Sequence, residues 1–191
     1  MEEGAGRLLV AIARRSISQF VEAHRQYEPA LDQLPERLRR PGASFVTLYL
    51  AEQLRGCIGS VEPYLPLATD VAFNAVAAAS RDSRFPPVTC DELPALELSV
   101  TILSPLQPLT YQNDSDLASR LRPGIDGVMI RWRQRRSLLL PQVWERLPEP
   151  EAFLLALADK AGIPCHELAA QPPTIEVYTF TAESCEDDDC L

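Results

Sequence analysis

Histidine is almost missing from this chain: of 191 residues only His24 and His166 are histidines. A Cys–His catalytic pair needs a base within reach of its thiol, and neither histidine serves well. His24 falls at the C-terminal end of the first amphipathic segment, where a cation suits the helix dipole. His166 stands beside Cys165 after a helix end, and one such pair falls short of the roughly four convergent ligands a zinc site collects. The sequence also has no GxGxxG, no GxxxxGK and no CxxxCxxC run. Dinucleotide, ATP and iron–sulfur chemistry within the chain therefore lack support, and no metal or cofactor is assigned. No apolar run approaches the roughly 20 residues of a membrane span. Met1-Glu2-Glu3-Gly4 is not a basic segment followed by an apolar one. The expectation is a cytoplasmic protein with no membrane contact.

Basic residues are in deficit as well, 18 Lys and Arg against 27 Asp and Glu, for a net charge of −9. Affinity for a phosphate backbone comes from clustered cations, so nucleic acid is disfavoured. One local exception, Arg131-Trp132-Arg133-Gln134-Arg135-Arg136, falls at an expected hairpin turn, where exposed charged edges are the ordinary reading. RNA-related binding stays as a lesser alternative. The five cysteines are odd in number and irregular in spacing, which fits reduced thiols better than a disulfide framework. Cys90 reads as a loop or cap residue. Cys185 and Cys190 lie in the acidic run at the end, so residues 182–191 are expected as a flexible, solvated tail.

The most telling stretch that is present is Leu54-Arg55-Gly56-Cys57-Ile58-Gly59. Strand alternation would send Leu54 and Ile58 to the core and place Arg55 and Cys57 together on the opposite face, with Gly59 leaving that face open. Glycines here invite close approach of backbone or ligand, and a neighbouring guanidinium favours a thiolate. Cys57 with Arg55 is thus a catalytic candidate, against the alternative that Cys57 is a small buried hydrophobe. Gly56, Gly59, Arg81, Asp82, Arg84 and Glu97 complete a candidate ligand-binding set around it. Three arginines near one glycine-flanked strand suit a small anionic ligand such as a phosphate or carboxylate. The competing reading is a structural network in which Asp82 and Glu97 neutralise them. Gln142 and Lys160 are added as residues that could reach the same cleft, whereas Trp144 reads as core.

The order of elements repeats. Phe45 to Leu50 and Gln53 to Ser60 read as a hairpin, Leu67 to Ser80 as an Ala-rich helix and Leu96 to Leu103 as an alternating strand. Gly127 to Trp132 and Ser137 to Leu140 read as a second hairpin. Gln142 to Leu147 and Pro150 to Ala161 follow as helices, and Thr174 to Phe180 as a closing strand. A first helix spans residues 6–23, and residues 27–42 form a connecting loop. The class is α+β: a largely antiparallel sheet with flanking helices, built from two similar hairpin–helix–strand halves, 43–104 and 126–181, within a single domain 1–181.

The hexapeptide, together with Asp70-Val71, Asn74-Ala75, the run Arg81-Asp82-Ser83-Arg84-Phe85-Pro86-Pro87 and Leu93-Pro94-x-Leu96-Glu97, resembles the AMMECR family. Gly124-Ile125-Asp126-Gly127-Val128, Leu140-Pro141-Gln142-Val143-Trp144 and Lys160-Ala161-Gly162 extend the resemblance over roughly residues 8 to 181. Arg136-Ser137-Leu138-Leu139 departs from it, since a Gly or Thr is more usual there. The resemblance implies a cytosolic domain without an established activity. It also implies a curved, barrel-like sheet in two lobes with LRGCIG near the cleft, and Memo-like and radical-SAM proteins as partners. Two functions remain open. One is a small enzyme, or the substrate-handling subunit of one, using Cys57 in an arginine-lined cleft. The other is a non-catalytic protein-interaction module.

Overall fold

A computed structural model describes residues 3–170 and 172–187. The elements run α1 (Glu3–Ala23), α2 (Glu36–Arg39), β1 (Pro41–Leu50), β2 (Gln53–Gly59), β3 (Leu65–Pro66), α3 (Leu67–Ser80) and β4 (Leu96–Leu103). They continue with β5 (Gln107–Leu109), α4 (Asp114–Arg120), β6 (Gly127–Trp132), β7 (Arg135–Leu139), α5 (Pro150–Ala161), β8 (Glu176–Phe180) and β9 (Ala182–Glu186). The class is α+β, and every strand pairing described is antiparallel.

Two compact units divide the chain, residues 1–103 with 183–191, and residues 104–182. In the first, the strand order is β2-β1-β4-β9, with β3 on the start of β1. In the second it is β7-β6-β8-β5. Each therefore sets a hairpin, a helix and a closing strand in the same pattern, with the closing strand returning to the outer side of the hairpin's first strand. Neither sheet closes on itself, which corrects the barrel-like expectation. Four principal strands with helices over one face leave an open sheet, because closure takes a larger strand count and a tilt to match.

The core of the first unit forms between α1, α3 and one sheet face. Val46 and Leu48 of β1 and Leu96, Leu98 and Val100 of β4 alternate toward the helices. Leu9, Val10, Ala13 and Ile17 bring the apolar stripe of α1 to meet them. α3 lies against both α1 and the β1–β2 hairpin. Its run of alanines, buried on most sides, permits that double contact, since a bulkier residue at these positions would hold the layers apart. In the second unit Trp144 stacks on Phe153 with ring centroids 3.9 Å apart. The Trp144 indole donates to the Asp126 carbonyl at 2.6 Å. Ser137, where the chain departs from the family pattern, donates its hydroxyl to the Leu157 carbonyl at 2.7 Å and so ties β7 to α5.

The expected tail is strand as far as Glu186. β9 extends the sheet beyond β4, the hydroxyls of Ser184 in β9 and Thr101 in β4 lying 2.9 Å apart. Cys185 is buried in the first core, because period-2 alternation sends this one apolar side chain inward between Ser184 and Glu186. Cys190 lies outside the described residues.

A Cβ built on Gly56 would stand 2.3 Å from the carbonyl oxygen of Ala78 in α3. Gly56→Ala should therefore lower the unfolding free energy by about 3 kcal/mol, since backbone cannot yield to overpacking as a side chain can. Gly4→Ala, on α1 with nothing within 4 Å, should raise it by up to about 1 kcal/mol through helix propensity. Urea denaturation of the two variants checks the opposite signs. Equal effects would mean that α3 and β2 do not pack this tightly.

Candidate functional site

The motif strand β2 lies at the edge of its sheet and is interrupted by a bulge. Along β1, Thr47 pairs with Cys57 and Leu48 with Gly56, but Tyr49 pairs with Leu54, leaving Arg55 as the extra residue. The bulge breaks the alternation that the sequence implied. Leu54 changes face, sits opposite Tyr49 and is 39% exposed, whereas Ile58 packs against the core as expected. Arg55 itself is drawn to a carboxylate and two carbonyls and not to the Cys57 sulfur. Its Nε and Nη2 donate to Glu92 at 2.7 and 3.1 Å, and its Nη1 and Nη2 to the carbonyls of Pro86 and Pro87 at 2.8 and 3.3 Å. Glu92 also accepts from the backbone N–H and hydroxyl of Thr89, closing a capping box. The Arg55 hydrogen bonds lower the Glu92 carboxyl to about 2.

Residues 81–95 thus form a strap pinned across the motif strand at two points. The second point is Cys57 itself. Its N–H donates to Asp82 Oδ2 at 2.8 Å, and its carbonyl accepts from Arg84 Nη2 at 3.4 Å. Arg84 also donates to both Asp82 oxygens, from Nη2 at 2.6 Å and Nε at 2.9 Å. These bonds from Arg84 hold the buried Asp82 carboxyl far below the usual carboxylate range, and the same carboxylate raises the Arg84 guanidinium. One Asp–Arg pair thereby covers the outward N–H and C=O of an edge strand, a protection such edges need. On the open side, the Thr47 hydroxyl donates to the Cys57 sulfur at 3.4 Å. Cys57 is half-buried, Cys90 and Cys165 exposed.

The other expected residues take separate places. Gly56 faces α3, and Gly59 faces Phe45, whose ring carbons would lie 2.3 and 2.4 Å from an added Cβ. An aromatic ring therefore fills the face that Gly59 was expected to leave open. Arg81 is exposed, with no side-chain partner among the described residues. Glu97 pairs across the sheet with Tyr49, and its carboxylate joins none of the three arginines. A single arginine-lined cleft is thus not what these contacts build. Gln142 and Lys160 belong to the second unit, where Lys160 Nζ donates to the Leu138 carbonyl at 3.0 Å. The cations near the second hairpin are engaged too, Arg131 with Glu176 at 3.5 Å and Arg135 with the Gly162 carbonyl.

One constellation escaped the sequence reading. Asp70, in the first turn of α3 and 5% exposed, accepts hydrogen bonds from the hydroxyls of Ser44 and Ser60, each at 2.6 Å, and from Asn74 Nδ2 at 2.9 Å. Asn74 further donates to the Ser44 carbonyl at 3.1 Å. No cation pairs with Asp70 among the described residues. Burial raises its carboxyl above the ordinary range, opposed by the bonds from Ser44 and Ser60. The available signal was spacing: Asp70 and Asn74 are four apart on one helix face, and Ser60 directly follows the motif. Tyr49 is also raised, first by burial and then by its proximity to Cys57 and Glu186.

The AMMECR1 family model matches residues 10–185. A protein of Thermofilum pendens is 37% identical, the match covering 95% of this chain and 88% of that protein. A protein of Thermotoga maritima is 41% identical over 90% of this chain and 92% of its own length. The crystal structure of uncharacterized protein PH0010 from Pyrococcus horikoshii is similar with a TM-score of 0.90 and 31% identity, covering 98% of this chain and 94% of that one.

The Asp70 network generates a stability test with a defined sign. Its native-state value lies above that of the unfolded chain, so its contribution is full below the unfolded value, near ~3.9, and is lost as pH rises through the native value. Asp70→Asn keeps the shape and the bond to Ser44 but removes the charge. Relative to wild type, the variant should gain stability as pH increases from about 3 to neutrality. Asp82 and Glu92, shifted the other way, are common to both proteins and cancel in the difference. Urea midpoints across this range measure it; a variant that loses ground with rising pH would show that Asp70 has a cationic partner.

Proposed function

The chain belongs to the AMMECR1 family, and from that premise we propose that it is a small enzyme, or the substrate-handling subunit of one, whose chemistry centres on the Cys57 thiol. The observation that carries this reading is the hydrogen bond from the Thr47 hydroxyl to Cys57 Sγ at 3.4 Å, with Arg84 anchored at the same residue's carbonyl. A hydroxyl donating to sulfur and a guanidinium close by are the groups that a thiolate nucleophile uses. The cationic neighbour in this account is Arg84; Arg55, engaged by Glu92, positions the strap. A small anionic substrate would meet Arg84 and the exposed Arg81. A cytoplasmic setting, and Memo-like and radical-SAM partners to supply any radical step, belong to the same proposal.

A second reading is favoured by a different observation. Arg55 and Arg84 are both paired with carboxylates, as a structural network requires. On that account the motif surface is a non-catalytic recognition module, and Cys57 is a small packing residue.

Alkylation with iodoacetamide at neutral pH separates the two. The thiol-centred reading expects Cys57 to be modified faster than Cys90, although Cys90 is the more exposed. It also expects Thr47→Val to slow Cys57 severalfold while leaving Cys90 unchanged, as read by peptide mass spectrometry over time. If Cys90 leads and Thr47→Val has no effect, the recognition module is the better account.

A further inference from the structure

We propose that the first unit carries a binding site for an organic ammonium group, on the sheet face opposite the helices. Tyr49, Glu52, Glu97, Ser99, Glu186 and Asp187 line a concavity of about 250 Å³ there. Its charge is opposite in sign to the anion site that the sequence implied. Arg55 and Arg84 of the motif region are paired, whereas Glu52 and Glu97 make no hydrogen bond or ion pair among the described residues. Asp187 is already engaged, accepting from Arg14 and from the Leu98 N–H at 2.8 Å.

Acidic residues alone would amount to a solvated patch. The second observation is Ser99, which is only 8% exposed and lines this concavity, yet its hydroxyl has no hydrogen-bond partner among the described residues. No side-chain oxygen fully sealed from the surface lacks a partner among those residues, so Ser99 Oγ keeps access to the outside, in a residue that lines the concavity. In a side chain this enclosed, that hydroxyl is a donor and an acceptor available to a group seated in the concavity. The Tyr49 hydroxyl is likewise without a partner.

The geometry also selects among cations. Among the described residues no three His, Cys, Asp or Glu side chains converge closely enough to hold a metal ion. Separated carboxylates with a hydroxyl between them suit a group whose N–H donors point in several directions, which an alkylammonium supplies. The Tyr49 ring adds an aromatic surface that a cation or its alkyl stem can cover. A net charge of −9 raises the local concentration of any cation. The ammonium could belong to a free diamine or to a lysine side chain. The inference does not depend on what Cys57 does.

The test is binding to the full chain at neutral pH and fixed ionic strength, by melting temperature and calorimetry. The probes are 1,5-diaminopentane, N-acetyl-lysine methylamide and magnesium chloride. The amines should raise the melting temperature beyond the magnesium control, since a ligand that binds only the native state must stabilise it. Glu97→Gln, at an exposed position, and Ser99→Ala should each weaken amine binding by about tenfold, the usual loss for a hydrogen bond to a charged group. Binding of the diamine alone identifies a free amine as the ligand, and binding of the capped lysine identifies a side chain. Equal shifts from magnesium and the amines would reveal only screening of the negative chain. That result, the absence of any shift, or full affinity in both variants would overturn the proposal.

Discussion

The close approach of α3 to the motif strand is the constraint on which the first unit depends. Only glycine fits at position 56, because the Ala78 carbonyl lies where a Cβ would go. With the last turn of α3 held there, Asp82 follows two residues after the helix and reaches the Cys57 N–H. The chain then turns back, and the Val88 N–H donates to the Ala79 carbonyl at 2.8 Å. That return brings the Pro86 and Pro87 carbonyls and Glu92 to the Arg55 guanidinium. Bulge, strap and edge protection are consequences of one contact. A larger residue at 56 would displace the helix end and with it every group now aimed at Cys57.

Electrostatics in this unit is decided by pairing more than by composition. Arg55 and Arg84 stand in the motif region of an acidic chain, and each has a carboxylate partner whose ionised form it stabilises. Because Asp82 is buried, its pair resists screening better than the exposed Arg40–Glu36 pair, where both side chains are largely solvated. Besides the exposed Arg81, the charges left over include the acidic ones at Glu52, beyond β1, and Glu97. The face near Cys57 therefore carries a guanidinium committed to the strap and, a few residues along, carboxylates that are not committed.

Much of this fold could be read from residue patterns. The alternation of Leu96, Leu98 and Val100 and the Ala-rich run after Pro66 mark β4 and α3 with the bounds the structure shows, because tertiary packing there agrees with local pattern. Pro150 likewise marks the first turn of α5. The repeated order of hairpin, helix and strand follows from the same patterns. Three features were hidden. A bulge leaves no trace in composition, so Leu54 was placed in the core and lies instead opposite Tyr49, largely outside it. β9 is acidic enough to read as solvated, and only the inward Cys185 betrays it. Glu97 was expected among the arginines from its place on the face of β4 opposite the leucines; it does lie on that face, across from Tyr49, but alternation along a strand does not say which cation is in reach.

The Asp70 network was hidden for another reason: each of its members is an ordinary residue, and the function of the group exists only in three dimensions. It supplies what the strap lacks at the other end of α3. Asp70 in the first turn holds Ser44 and Ser60, while Asp82 beyond the last turn holds Cys57. The segment from Cys57 to Ser60 is therefore clamped to both ends of one helix by carboxylates. Their environments are opposite. Asp82 has a guanidinium and remains ionised, whereas Asp70 has only neutral donors and resists ionisation. An asparagine would satisfy Ser44 about as well without the burial penalty, so retention of an acid at position 70 works against stability at neutral pH. Such a conflict between local rule and residue is where functional demand is to be sought. Here that conflict lies on the helix-facing side of the segment that follows the motif, where Asp70 holds Ser60.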